Sequence, residues 1–265
     1  MGRLDDVFKR PRKALVTYLC CGDPDETESI DLAVACAEEG ADVLELGMPF
    51  SDPTADGPAI ARASKRALAK GGGFEATLRV ARGVRARSDV PIVLFGYYNP
   101  LFVRGEERVV ALAADAGVDG FLVVDLPIDE STSLRTLAAK RDVGVVPLVA
   151  PTSTADRIVK IAEVAKRFPV PFVYYVSMMG VTGGAGVTSV LAEASTQAAR
   201  VRHLTGRPTV VGFGIDSGAA AATAGKDADG VVVGSAIVRK IEEGTSPEAR
   251  VAAVRAIVQE LRAAT

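Results

Sequence analysis

Two carboxylates eleven positions apart, Glu45 and Asp56, are the residues of this chain whose placement points most directly to chemistry. Glu45 stands inside an apolar run, Val43-Leu44-Glu45-Leu46. Asp56 lies in the Gly/Pro-rich stretch that follows, Gly47-Met48-Pro49-Phe50-Ser51-Asp52-Pro53-Thr54-Ala55-Asp56-Gly57-Pro58. Burying a charge whose partner is missing costs several kcal/mol, ~3–5, so an acid on a buried strand suggests a task. One carboxylate on a strand end and one in the next loop could work as an acid/base pair. A salt-bridged core Glu and a helix-capping Asp would use the same residue types, and the pair alone leaves both readings open.

Other reactive groups are scarce. Lys65, Lys70, Lys140, Lys160, Lys166, Lys226 and Lys240 fall on helical segments. A Schiff-base aldolase needs a lysine at a strand end, which argues against that mechanism. The single histidine, His203, reads as a surface residue of a helical stretch, whereas a catalytic zinc usually takes two or three. No metal site is therefore expected. Cys20, Cys21 and Cys36 lack C-x-x-C spacing and are odd in number, which fits neither a disulfide framework nor a zinc site. Carbon–carbon chemistry here must use carboxylates and a substrate that is its own electron sink.

Three glycine loops look like an anion cradle: Gly183-Gly184, Gly212-Phe213-Gly214 and Gly234-Ser235. Backbone N–H groups at a helix N-terminus bind anions, aided by the helix dipole. Glycine also marks plain turns, so the signal lies in three such loops together. The run Gly212-Phe213-Gly214-Ile215-Asp216-Ser217-Gly218 has its third Gly one position late for a dinucleotide fingerprint. No Gly-Lys-Ser/Thr follows any loop, which excludes a P-loop.

These groups need a frame. Eight strand-like runs occur, Ala14–Cys20, Asp42–Leu46, Pro91–Phe95, Gly120–Val124, Val143–Val149, Phe172–Val176, Thr209–Val211 and Gly230–Val233. Helical stretches alternate with them: Ser29–Glu39, Pro58–Ala69, Phe74–Arg87, Glu106–Ala116, Glu130–Lys140, Ala155–Arg167, Leu191–Leu204 and a closing Pro247–Ala263. Alternation of this kind predicts a parallel sheet, and the unbroken apolar character of the runs fits strands covered on both faces. Eight units predict an α/β (β/α)8 TIM barrel, one domain over residues 1–265, with a doubly wound sheet as the alternative. In such barrels the working residues lie where strands pass into the following loops. Gly40-Ala41-Asp42 and Gly117-Val118-Asp119 echo one another as helix ends before strands.

Composition narrows the partners. The 265 residues are 48% hydrophobic with a net charge of −2. Nothing is basic enough to suggest nucleic acid, and no apolar run approaches the ~20 residues that span a bilayer. Met1 to Leu15 lack the apolar core of a signal peptide. A reduced, cytoplasmic compartment fits.

The chain resembles the tryptophan synthase alpha chain over nearly its whole length. The resemblance is carried by Leu44 to Pro58, Tyr97-Tyr98-Asn99-Pro100, Val124-Asp125-Leu126-Pro127, Gly180-Val181-Thr182-Gly183, Gly212-Phe213-Gly214-Ile215 and Gly234-Ser235-Ala236-Ile237-Val238. It implies a lyase that cleaves indole-3-glycerol phosphate to indole and glyceraldehyde 3-phosphate. It implies an alpha2beta2 complex with a beta chain that holds pyridoxal phosphate, and no cofactor in this chain. Protonation of the indole at C3 would make the ring the electron sink. By the resemblance Glu45 transfers the proton and Asp56 holds the ring N–H. Tyr18, Phe95, Leu122, Tyr174 and Phe213 match positions of the indole slot, and Tyr97 joins the substrate site. Gly183, Gly212, Gly214, Gly234 and Ser235 match phosphate positions, and Thr182 and Asp125 match positions tied to loop closure and signalling between subunits.

The chain departs from the family at Thr54, usually aliphatic, at Tyr18, Cys20 and Cys21, and at Met178, where some members carry Arg. Both acids stay in place. Other readings are a weakly active subunit that mainly activates its partner, a free-standing indole-producing lyase, and a sugar-phosphate isomerase on the same barrel.

Overall fold

The computed structural model describes residues 2–176, 185–212 and 214–265, with side chains left aside at 185–187. Helix α1 (Arg3–Val7) leads into β1 (Ala14–Cys20), α2 (Glu26–Glu38) and β2 (Val43–Gly47). Two helices follow, α3 (Pro58–Ala69) and α4 (Phe74–Arg85), then β3 (Ile92–Gly96), α5 (Tyr98–Arg104), α6 (Glu106–Asp115) and β4 (Gly120–Val123). The second half runs α7 (Thr132–Ala139), β5 (Gly144–Val146), β6 (Leu148–Val149), α8 (Ala155–Ala165), β7 (Val173–Val176), α9 (Ala185–Thr205) and β8 (Thr209–Gly212). It ends with α10 (Gly218–Gly225), β9 (Gly230–Val233), α11 (Ser235–Glu243) and α12 (Pro247–Ala263).

All pairings are parallel, in the order β5-β4-β3-β2-β1-β9-β8-β7-β6. The two ends of that order flank Pro147 and are halves of one stave, so the sheet closes into an eight-staved barrel. The sequence predicts an unbroken strand over Val143–Val149. The break arises because proline has no N–H to give the ladder. The Pro147 carbonyl instead accepts from Tyr174 N at 3.0 Å, which turns the stave from β4 toward β7.

Side chains alternate across each strand. Leu15, Leu19, Leu44, Leu46, Ile92 and Leu94 pack outward in the layer shared with the helices. Val16, Tyr18, Val43, Val93 and Phe95 point into the barrel. Glu45 lies between Leu44 and Leu46, so the pleat aims it inward. Its register neighbours are Tyr18 on β1 and Val93 on β3.

At the opposite end from the strand-to-helix loops, three aspartates repeat one device. Asp42 Oδ2 accepts from Leu15 N at 3.0 Å, Asp119 Oδ2 from Ile92 N at 2.9 Å, and Asp229 Oδ2 from Thr209 N at 2.8 Å. Each satisfies an amide at the start of the neighbouring strand and pairs with arginine. Asp42, 3% exposed, gathers Arg10, Arg12 and Arg262. The Gly-x-Asp echoes of the sequence are thus strand caps as well as helix ends. Asp42→Ala leaves these arginines and the Leu15 amide without their acceptor. A loss of about 3 kcal/mol is expected, the lower end for a broken buried pair because Arg10 and Arg12 reach solvent. Urea unfolding of the variant checks this.

Among the described residues four helices, α1, α5, α10 and α11, lie outside the stretches delimited from local pattern, although Lys240, placed on a helical segment, falls in α11. α5 shows why. Tyr98 N, at its first turn, donates to Asp125 Oδ1 at 2.7 Å, a cap supplied from the loop after β4. No local signal carries that information.

Candidate active site

The site lies where the strands end. Glu45 is 1% exposed, and its Oε1 has no hydrogen-bond partner. Burial pushes its carboxyl up to about 8, against an ordinary 4.5. Among the described residues no arginine or lysine is paired with it, so the described fold does not contain a salt-bridged core Glu. Asp56 is partly buried in the loop after β2. Burial raises its carboxyl to about 6, and a hydrogen bond with the Tyr97 side chain opposes the rise.

Tyr97 holds that loop in place. Its hydroxyl accepts from Ala55 N at 2.9 Å, and its ring stacks on Phe50 with centroids 5.0 Å apart. Thr54, the departure within this loop, is exposed and donates its amide to the Asp52 carbonyl at 2.9 Å. Pro58 opens α3 at its first position, where the missing N–H costs nothing.

Glu45 and Asp56 line one cavity with Tyr18, Phe95, Tyr174, Gly214, Gly234 and Ser235. Gly57, Ile60, Ile215 and Val232 complete the lining, and sequence reading did not single out any of these four. Ile60 follows Asp56 by one helical turn, which is the signal that could have found it. Tyr18 and Phe95 meet edge to face, centroids 5.2 Å apart.

Three expected residues stand behind the cavity wall. Leu122 is fully buried beside Phe95 in the register. Tyr97 backs Asp56. Gly212 is covered by Tyr174: a Cβ there would fall 1.9 Å from the Tyr174 hydroxyl. Gly47 likewise accommodates Tyr18, whose hydroxyl would lie 2.2 Å from a Cβ. These two glycines make room for tyrosines that roof the site. Thr182, Gly183, Phe213 and Met178 lie outside the described residues. Asp125 is exposed and caps α5.

Gly234 and Ser235 stand at the start of α11. Its first intrahelical bond is Val238 N to the Gly234 carbonyl at 3.0 Å. The amides of Ser235, Ala236 and Ile237 thus precede the ladder, and Gly234 offers no side-chain cap. This N-terminus faces the same cavity as the two acids. α11 is bound to α3 through Glu242, which accepts from Arg62 and Arg66 at 2.6–2.8 Å, while Arg66 also pairs with Asp23. The hydrogen bonds from Arg62, then those from Arg66, hold the Glu242 carboxyl down at about 2. The acid loop and the helix terminus therefore sit on elements tied to each other. Among the described residues no His/Cys/Asp/Glu cluster could hold a metal.

A buried acid, a second carboxylate and a helix N-terminus with free amides in one cavity suit acid/base cleavage of a phosphorylated substrate. The comparisons decide the family. The family model described as the tryptophan synthase alpha chain matches residues 4–265. The chain belongs to the tryptophan synthase alpha chain family. It is a carbon–carbon lyase of the kind that acts on indole-3-glycerol phosphate, and alpha chains of this family pair with a beta chain. The alpha chain of Geobacter sulfurreducens is 47% identical over 247 residues, 93% of this chain and 91% of that one. The tryptophan synthase subunit alpha of Legionella pneumophila superposes with a TM-score of 0.88 at 33% identity, covering 100% of this chain and 98% of that one. A tryptophan synthase of M. tuberculosis in an aminoacrylate-bound form gives 0.84 at 32% identity, covering 100% and 99%. This alpha chain thus has a TIM barrel like those of its relatives.

Proposed function

We propose that this chain, acting as one barrel domain over residues 1–265, cleaves indole-3-glycerol phosphate by a retro-aldol reaction that Glu45 and Asp56 catalyse. The observation that carries the reading is the buried Glu45 with an unbonded Oε1, in the cavity that Asp56 and the α11 N-terminus share. With its carboxyl at about 8, Glu45 is mostly protonated at neutral pH. It gives its proton to indole C3. The carboxylate left behind takes the proton of the hydroxyl on the carbon attached to the ring. That carbon–carbon bond breaks, its electrons return to the ring, and indole and an aldehyde form. Glu45 ends protonated, as it began. Asp56, ionised, accepts from the ring N–H and stabilises the positive charge that builds there. Tyr18, Phe95 and Tyr174, with Ile60, Ile215 and Val232, form the apolar slot. Tyr97 positions Asp56, and Leu122 supports Phe95. Gly214, Gly234 and Ser235 take the phosphate against the α11 amides, and Gly183 and Gly212 belong to the same phosphate-binding set. Thr182 and Phe213 complete the substrate set.

The beta partner, in an alpha2beta2 assembly and carrying the pyridoxal phosphate, receives the indole. The compartment is cytoplasmic, and no described helix is long and apolar enough to cross a membrane. The docking face is the barrel end that bears the site. There α5 presents Phe102, 64% exposed, and Val103, 73% exposed. Indole release from indole-3-glycerol phosphate, with and without a beta chain, tests the reading. Release by the chain alone is expected, rising on addition of the partner by up to ~100-fold as the Asp52–Pro58 loop is positioned. No release under either condition would overturn the reaction, and equal release would overturn the coupling.

The phosphate assignment has its own test. Gly234 has φ −120°, open to any residue, and a Cβ there would approach Tyr18 Cβ to 3.3 Å, a tight but yielding contact. Aspartate is also a favoured N-cap. Gly234→Asp is therefore expected to fold, while its carboxylate occupies the phosphate position. Calorimetry should show glycerol phosphate binding lost; unchanged affinity would move the phosphate elsewhere.

A further inference from the structure

Arg135 on α7 is 2% exposed, and no carboxylate is paired with it. Its Nε donates to Ser131 Oγ at 2.7 Å and its Nη1 to the Val145 carbonyl at 2.8 Å. Both acceptors are neutral, and Ser131 spends its own hydroxyl on the Ile128 carbonyl at 2.9 Å. Nη2 has no hydrogen-bond partner among the described residues. Burial brings the guanidinium down to about 10, which leaves it charged at neutral pH. A buried charge without a counter-ion is costly, so the fold holds a cation that lacks its anion.

The guanidinium borders a cavity of ≈ 250 Å³ between α7, α8 and the place where the barrel staves part at Pro147. No residue of this cavity lines the one that holds Glu45 and Asp56. Its walls mix polar and apolar groups, and Val123, Val145, Val149, Ile158 and Ile161 supply the apolar part. Ser153 Oγ accepts from Ala150 N at 3.0 Å, which leaves its O–H free to donate into the cavity. The remaining charged groups on the lining are Arg157, exposed and close to Asp129, and Asp125, already engaged by the Tyr98 amide.

We propose that this cavity is a second ligand site, for a small monocarboxylate with an apolar body. The carboxylate sits on Arg135 Nη2 and the Ser153 hydroxyl, and the body lies among the valines and isoleucines. A phosphate dianion fits less well, because Arg135 is the buried cation of the lining and Asp125 adds a negative charge there.

Hexanoate and hexanamide, equal in length and differing in charge, are the probes, titrated calorimetrically into the full chain. Hexanoate is expected to bind at least tenfold more tightly than hexanamide, as befits hydrogen bonds to a charged group. Arg135→Met should abolish that difference. Arg135 also ties α7 to β5, so the variant's fold is checked by circular dichroism. If it does not fold, crystals of the unaltered protein soaked in hexanoate decide, with the carboxylate expected against Arg135. Equal affinity for the two probes, no binding of hexanoate at millimolar concentration, or hexanoate found beside Glu45 would each overturn the proposal.

Discussion

Glu45→Gln is expected to lower indole release by ~10²–10⁴-fold, the usual worth of a positioned proton transfer, while the barrel stays folded. Glutamine keeps the size of the side chain and cannot deliver or regain the proton. The same change should stabilise the protein in a pH-dependent way. Folding raises the Glu45 carboxyl from its ordinary 4.5 to about 8. The native state therefore holds a proton that the unfolded chain releases. The stability Glu45 contributes is full below about pH 4.5 and is lost as pH rises to about 8. Glutamine does not titrate, so the variant gains on the natural protein across that window, by up to about 4 kcal/mol. Urea unfolding at pH 5 and pH 8 measures the gain, and steady-state turnover measures the loss. Near-normal turnover in a pure sample would remove Glu45 from the mechanism. Equal stability at both pH values would mean that its carboxyl is not held neutral.

Asp56→Asn is the second large effect, an expected loss of ~10²–10³-fold that persists when the beta chain is bound. The amide can still touch the ring N–H through its oxygen but cannot offset a positive charge. The natural enzyme needs Asp56 ionised and Glu45 protonated. With Asp56 at about 6 and Glu45 at about 8, kcat/KM should rise through the first value and fall through the second. Tyr97→Phe distinguishes positioning from chemistry. It deletes the hydroxyl that bonds Asp56 and accepts from Ala55 N but spares the ring stacked on Phe50. A loss of ~10-fold, the worth of one hydrogen bond, is expected. The acidic limb should also move to higher pH, because that bond opposes the rise in the Asp56 carboxyl. An unmoved limb would show that Tyr97 acts on the loop alone.

Much of this molecule is legible in local pattern. The spacing of β-branched runs and Ala-rich helices predicts eight β/α units, and Pro58–Ala69 and Pro247–Ala263 match the observed α3 and α12 end for end. The period of two, a property of any pleated strand, sets Glu45 on the face opposite Leu44 and Leu46, and barrel closure makes that face the inner one. Glycine at a strand end followed by a small polar residue marks the α11 terminus that faces the cavity, although the bounds of that helix are not read from pattern. These features depend on a residue and its near neighbours, so one sequence suffices.

Other features depend on which segments meet when the barrel closes. The Tyr97 bond to Asp56 joins the loops after two neighbouring strands. The cap on α5 comes from Asp125 after the next strand. That Gly212 makes room for the ring of Tyr174, and Gly47 for that of Tyr18, shows only once the strands are side by side. Pro147 splits one stave because its two halves face different neighbours. The missing partner of Glu45 Oε1, and of Arg135 in the second cavity, can be known only once every group around them has been placed. The strand and helix pattern, the place of Glu45 on a strand and the supply of reactive groups follow from local periodicity and composition. The tertiary structure alone decided which of those groups are buried without partners, because desolvation and hydrogen bonding are set by contacts between residues distant in the chain.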